Sequence, residues 1–473
     1  MSRSRLVFID ETGASTKMAR RYGRCRRGER LDAALPYGHW KTTTFLGGLT
    51  SRGFIAPYVL DGAMDGLTFR DEDGNNFNSR TDQLPDAQPL WSPRLGINWD
   101  VFGNRTTQVR GGTGIFTGRP PFVWISNQIG NNGVLTGFIE EDGTTNFPFR
   151  PDPTSFLPDD PSIFLPSTFE LATTDPDFKF PQIWRSNIAV DQQLPGGLVA
   201  TVEFIYNKNV NAIQYINGNL ESASGTFAGP DNRPYFPGVA PGQTPSGRLS
   251  GLTLNNAIRI NDDIVNNIVL KNTDEGYSYS LTFQLEKTFS NGFFARLAYN
   301  FGKAKDLLSA GSIAAGSFTG IDAVRGNNNP DLAFSNNDQR HRIIGAFSYR
   351  KEYLKHAATE ISLFYSAFNQ GNYTYVYGGD LNGDGIQGND LLYIPNDASE
   401  LTFEEFTQSG QTFTVQQQVN AYNAFINSDP YLRDRRGQYA ERNGALLPWR
   451  STVDLTFIQE FFVDVKGKRN TLQ

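Results

Sequence analysis

Three stretches of this 473-residue chain carry side chains whose type and spacing could do chemistry. The densest is "DLNGDGIQGND", where Asp380, Asn382 and Asp384 place oxygens at alternate positions around Gly383 and Gly385, and Asp390 closes the run. Calcium takes about six to eight oxygen ligands at flexible geometry, and a D-x-N-x-D-G run supplies three of them. The closing acid falls one position short of the EF-hand spacing and no helical pattern flanks the loop. The alternative is a metal-free turn rich in Gly, Asn and Asp. A calcium ion here would be structural, not catalytic. The second stretch, "RLVFIDETGASTKMARRYGRCRRGERL", ends a short apolar strand at Asp10 and then turns basic. A carboxylate on a rigid strand suits a divalent cation. Arg20, Arg21, Arg24, Arg26, Arg27 and Arg30 would suit phosphate contacts, or else form a solvated loop. The third stretch groups Asp338, Arg340, His341 and Arg342 at a strand entrance, where a hydrogen-bonding cluster facing an interface or a polar lumen fits better than catalysis. His39 and His356 supply no catalytic partner, and Asp61 and Asp65 fit a turn.

The elements that must position these residues fall into two segments. The chain has 43 Lys+Arg and 49 Asp+Glu, a net charge of −6. Residues 1–70 hold 12 of those bases against 6 acids, leaving 31 against 43 for residues 71–473. Met1, Met18, Met64 and the single Cys25 all lie in the first segment, which marks the two parts as different in origin. A lone cysteine makes no internal disulfide. No run approaches the ~18 apolar residues of a transmembrane helix. The opening residues also lack the apolar stretch of about 7–15 residues that a signal peptide needs, so no export signal is expected in the chain as it stands.

From about residue 90 the dominant signal is period-two alternation in hairpin pairs. Tyr277, Tyr279, Leu281, Phe283 and Leu285 alternate with Ser278, Ser280, Thr282, Gln284 and Glu286. A Ser-Asn-Gly turn follows, then Phe293, Ala295, Leu297, Tyr299 and Phe301. Successive strand side chains face opposite ways, so one face is apolar and the other polar, and Asn-Gly between such runs signals a hairpin. Similar strands are expected at 94–101, 106–117, 188–194, 198–206, 341–350, 358–368 and 450–464, about ten in all. Long polar loops over about 118–182, 211–270, 304–338 and 370–449 separate them on one side. Phe122, Trp124 and Tyr235 in these loops could contact a ligand or pack on their own loop. A soluble β-sandwich also alternates. Long strands, an aromatic-rich apolar face and short turns alternating with long loops favour a membrane barrel.

Two resemblances sharpen this. Residues 1–70, through "FIDETGASTKMARRYGRCRRGERL" and "PYGHWKTTTFLGGLTSRGFIAPYVLDGAMDGLTF", resemble the start of the catalytic domain of mariner-related insertion-sequence transposases. The resemblance implies a ribonuclease H-like fold and makes Asp10 the first of three acidic metal ligands. No setting for the second and third follows, so the segment is expected to be an inert remnant, the chain no enzyme, and nucleic acid no partner. Residues 71–473, through "PLWSPRLGINWDVFGNRTTQVRGGTGIFTGRPPFVWISNQIGNNG", "GYSYSLTFQLEKTFSNG", "NNDQRHRIIGAFSYR" and "YGGDLNGDGIQGNDLLYIPND", resemble the Oar-like TonB-dependent outer-membrane receptors. This implies a barrel of about 22 strands, of which the chain holds part, without the family's plug. Implied partners are outer-membrane lipid, the TonB complex and an extracellular nutrient; the only cofactor expected is Ca²⁺ at 380–390. The join is expected near "LTFRDEDGNNF". The expected fold is therefore all-β: a partial antiparallel transmembrane β-barrel behind a small N-terminal meander. The expected function is that of a receptor fragment from a family that binds and takes up a nutrient, inactive as this truncated chimeric chain, with a DDE transposase and a soluble calcium-binding β adhesin as alternatives.

Overall fold

The computed structural model describes residues 84–129, 169–237, 264–311, 313–465 and 468–472. It also describes short segments at 8–15, 42–50, 53–58, 69–70, 76–77, 150–152 and 259–261, and residues 81 and 156. Two compact units divide the chain, Met1–Met64 and Asp65–Gln473. In the first, β1 (Phe8–Ser15), β2 (Thr42–Thr50) and β3 (Gly53–Tyr58) form an antiparallel sheet in that order. The apolar pattern predicts a first strand over 6–9, ending at Asp10. The strand instead begins at Phe8 and pairs along the whole of β2, so Asp10 lies inside the ladder opposite Gly47. The basic run, Cys25, His39, Asp61 and Asp65 lie outside the described residues.

The second unit is built on a meander. In chain order come β4 (Arg94–Asp100), β5 (Thr107–Thr117), β6 (Phe169–Thr174), β7 (Gln182–Leu194), β8 (Leu198–Asn217), β9 (Ile264–Thr273), β10 (Tyr277–Thr288), β11 (Phe293–Asp306), β12 (His341–Tyr353), β13 (Ala357–Asn369), β14 (Trp449–Val465) and β15 (Lys468–Leu472). Apart from β6 and β9, each strand pairs antiparallel with its predecessor and successor in this series, giving ten strands in sequence order. Among the described residues β4 and β15 each have one strand neighbour, so the sheet is an open arc. Short connections at 101–106, 195–197, 289–292 and 354–356 all fall at one end, because antiparallel neighbours turn alternately. Gly292 takes φ +86 at the Ser-Asn-Gly turn, a left-handed conformation that glycine adopts without steric cost. The four long connections all fall at the other end.

The ladder register puts the apolar residues into rows across the strands. One row runs Trp99, Val109, Val190, Val202, Phe283 and Tyr299. A second runs Phe293, Tyr349, Ile361 and Phe457, with the first two rings stacked 4.2 Å apart. These rows lie on the outward face, where Leu455 remains 70% exposed and Val453 62%. A contiguous apolar face of this extent is a liability in water and an asset in lipid. The opposite face is polar and cross-linked between strands. Arg110 donates from Nε to Asp191 Oδ2 at 2.9 Å, and Thr201 donates to Asp191 Oδ1 at 2.6 Å. Arg296 pairs with Glu286 at 2.6 Å, and Arg350 with Glu460 at 2.6 Å. Among the described residues no helix is long and apolar enough to cross a membrane, and the strands themselves offer the membrane-facing surface.

The described parts of the long connections form a folded cap. The alternation predicts that β8 ends near residue 206, but the strand continues to Asn217. Its upper part leaves β10 and pairs with β9, which in turn pairs parallel with β6. The cap has its own core, in which Phe178, Tyr215, Ile268, Leu270, Leu308 and Phe318 pack together. Helix α1 (Ala314–Thr319) belongs to it through Phe318, whereas α2 (Val415–Ser428) packs Ile426 into a second cluster with Leu392, Ile394 and Leu432. Helix α2 lies within a stretch whose polar composition reads as loop. Yet Thr414 and Gln417 form a capping box there, Gln417 N donating to Thr414 Oγ1 at 3.3 Å and Thr414 N to Gln417 Oε1 at 2.9 Å.

Candidate functional site: a buried polar node in the cap

The loop 380–390 lies inside this cap. Asp380 accepts from Gly383 N through Oδ1 (2.7 Å) and from Gly385 N through Oδ2 (2.9 Å). Asn382 Oδ1 accepts from Asp384 N at 2.8 Å, and Asp384 Oδ1 accepts from Ile386 N at 2.9 Å. Each acid thereby satisfies the tight backbone that Gly383 and Gly385, at φ +78 and +89, allow. The side chains are buried, Asn382 and Asp390 fully and Asp380 and Asp384 nearly so. Burial, reinforced by the charges of Asp390 and Asp380, pushes the Asp384 carboxyl up to about 8. Burial also pushes Asp390 up to about 6, against the pull of Arg233.

The sequence groups Asp390 with the other three, and the structure separates it from them in role. Asp390 Oδ2 accepts from Leu381 N at 2.7 Å, and its Oδ1 accepts from Arg233 Nη1 at 3.1 Å. It acts as a strut between loops. Arg233 is the centre of a node that sequence reasoning missed. Its fully buried guanidinium also grips Asp231 through Nε and Nη2 at 2.9 and 3.0 Å and donates to Leu391 O at 2.7 Å. The rings of Tyr377 and Tyr439 flank it at 5.1 and 5.5 Å, and burial pushes both phenols up. Nothing local in "GPDNRPYF" announces this, because Asp390 lies 157 residues away. Beside the node is a cavity of about 560 Å³ lined by Asp322, Arg325, Arg435, Tyr439 and Arg442, among others. Among the described residues no three His, Cys, Asp or Glu side chains form a group that could hold a metal ion.

The cluster expected at 338–342 divides between the cap, where Arg340 also donates to Asn443 O and Gly444 O, and the outward face. Asp338 and Arg340 pair at 3.0 Å, and Asp338 Oδ1 accepts from Ala304 N at 2.7 Å. His341 turns instead to the outer aromatic rows, where its Nδ1 lies 2.8 Å from Tyr299 Oη and its ring stacks on Trp449. The period of two forces this, since odd positions of β12 share a face with Tyr299. Trp124 packs against the cap core and Tyr235 against Phe227, which is self-packing of the loops; Phe122 is exposed.

Residues 58–463 match the family model described as outer membrane beta barrel domain, and residues 5–71 match that of the DDE superfamily endonuclease. The second match corrects the expectation that the chain has no enzyme in it: its N-terminal segment has an endonuclease-type sequence, with Asp10 on β1. No curated protein matches. Among solved structures, the ferric enterobactin receptor of Pseudomonas aeruginosa aligns at 9% identity and a TM-score of 0.31, over 73% of this chain and 32% of that one. The outer membrane transporter YddB of Escherichia coli aligns at 11% identity and a TM-score of 0.33, over 71% and 32%. The chain thus spans about a third of the length of those structures.

Proposed function

This chain belongs to the outer-membrane β-barrel domain family, and from that premise we propose that residues 71–473 form a wall section of a TonB-dependent receptor, displaying a ligand-binding cap at the cell surface. The proposed join to the endonuclease-type segment lies near "LTFRDEDGNNF", between residues 70 and 71 on this reading. One observation carries the reading. The short turns lie at one end of the meander, and the described parts of the long connections fold into one interlocked cap at the other. A wall with an apolar outer face needs lipid on that face. Its polar inner face and large outer loops are what a receptor uses to meet a solute.

Coupling to TonB and uptake of a nutrient rest on the resemblance of the sequence blocks to Oar-like receptors. The charged cavity beside Arg233 is the place in the cap best suited to a polar ligand. The test is to reconstitute the full chain into phosphatidylcholine vesicles and digest it with a protease from outside. Strands β10 to β14 should stay protected while cleavage falls in the long connections. A chain that stays soluble and monomeric without detergent, with β14 accessible throughout, would overturn the membrane reading in favour of a β adhesin.

A further inference from the structure

The D-x-N-x-D-G run takes no part in the receptor reading, and the structure changes which of its residues remain available. Asp390 is committed to Arg233 and to the backbone of residues 381 and 382. Its neighbour Asn389 is not. Asn389 is 2% exposed, and its Oδ1 is buried without a hydrogen-bond partner. Its amide head lies against Asp384, with Nδ2 3.4 Å from Asp384 Oδ2. Rotating the amide does not cure the orphan. Asn389 Nδ2 donates to Asn327 Oδ1 at 2.9 Å, and Asn327 is itself fixed by donating from Nδ2 to Phe318 O at 2.7 Å. Asn389 must therefore keep its nitrogen toward Asn327 and leave its oxygen unsatisfied, a costly state for a buried acceptor. Asp384 in turn has neutral partners among the described residues: Ile386 N and the amides of Asn382 and Asn389.

We propose that this loop binds a calcium ion through Asp380, Asn382 and Asp384, with Asn389 Oδ1 as the further side-chain oxygen in place of Asp390. Asp380 holds the backbone through both oxygens and Asn382 and Asp384 each through Oδ1, so a cation would share these oxygens with backbone N–H groups, as an oxygen that carries two lone pairs permits. The donor set is all oxygen, with two carboxylates and two amides, which suits a hard cation tolerant of irregular coordination. Two carboxylates imply the weaker affinity range of extracellular modules, about 10⁻⁴ to 10⁻³ M, a concentration regime consistent with the surface position of the cap, the one part of this inference that rests on the proposed function.

The test uses the full chain in detergent micelles, stripped with a chelator and titrated with CaCl₂ or MgCl₂, with hydrogen exchange read at residues 378–392. Millimolar calcium should protect this segment and magnesium should not. Asp384→Asn should weaken the calcium response about tenfold by removing a ligand charge. Asn389→Asp supplies the counter-test, because it adds an acid at the orphan position and should tighten the response. A metal-free turn predicts the opposite: no calcium-dependent protection in any form, and Asn389→Asp merely loosening the loop. That result overturns the proposal, and so does equal calcium response in all three chains. Vesicle insertion is measured separately, so loss of the calcium site leaves the membrane reading standing.

Discussion

The wall and the cap of the second unit solve opposite problems with the same strand chemistry. In the wall, the apolar side chains of the ten meander strands face outward and the charged ones face each other across one strand boundary or two, as Arg110 does with Asp191 and Arg350 with Glu460. In the cap the order is inverted. Leu270, Ile268 and Phe318 are buried, and with them Arg233, Asp390, Asn382, Asn219 and Asn267. Wall contacts join residues no more than two strands apart in the meander, whereas cap contacts join distant segments, such as Asn217 with Asn328 and Arg442 with Asp306. The wall therefore depends on its solvent and the cap on its internal polar network. A substitution that wrecks one should leave the other standing.

The largest effect is expected in the cap. Arg233→Met removes the guanidinium that pairs with both Asp231 and Asp390, leaving the fully buried Asp390 carboxylate without it. This should cost about 3–5 kcal/mol. Hydrogen exchange should show residues 225–235, 374–394 and 438–442 opening together while β10 to β13 keep their protection. If the wall opens equally, the two regions are one cooperative unit and the comparison fails. The next largest belongs to the wall. Leu455→Arg puts a charge on the outward face and should cost about 2–4 kcal/mol of folding free energy in vesicles. Thr456→Arg, one residue on and facing inward, should cost far less. Equal costs at the two positions would show that the outward face does not meet lipid.

How much of this is legible in the sequence differs between the same two regions, for a physical reason. The wall repeats a local rule, so Tyr277 to Phe301 alone reveal strand, turn and face. The cap is stabilised by pairings that leave no local trace. Arg233 finds Asp390 only after the intervening strands have brought the two together. Asp390 resembles a fourth ligand because spacing shows which oxygens are near in sequence, not which are already engaged. The run "NKNVNAIQYIN" breaks alternation because the upper half of β8 leaves the wall, pairs laterally with β9 and packs Tyr215 into the cap core, so its outer face no longer needs to be apolar. Helix α2 does carry a local signal, since Thr414 and Gln417 stand three residues apart in the order that a capping box requires. Val415, Val419, Tyr422 and Ile426 add a second one, since they fall at i, i+4, i+7 and i+11 on one helical face, a periodicity that the surrounding Gln and Asn residues dilute but do not erase.

That capping box supplies a smaller test confined to the cap. Thr414→Ala should destabilise α2 by about 1 kcal/mol and raise exchange rates in 415–428, with no change in β14 on the far side of the same connection.

The smallest effect is a pH slope. Burial raises the Asp322 carboxyl above the ordinary range, opposed by a hydrogen bond from Thr374 and by Arg442. The folded cap therefore holds this proton more tightly than the unfolded chain does. Its contribution is intact below the usual aspartate value of about 3.9 and is lost as pH rises through the raised one. Asp384 and Asp390, raised to about 8 and about 6, add slopes of the same sign over their own windows. Measured with a chelator present, cap exchange should accelerate from pH 4 upward, and Asp322→Asn should remove only one share of that slope. The wall offers a contrast, because its carboxylates pair with arginines, so exchange in β10 to β13, corrected for intrinsic chemistry, should stay flat over the same interval. A wall that loosens in step with the cap would mean that the buried acids of the cap set the stability of the whole second unit.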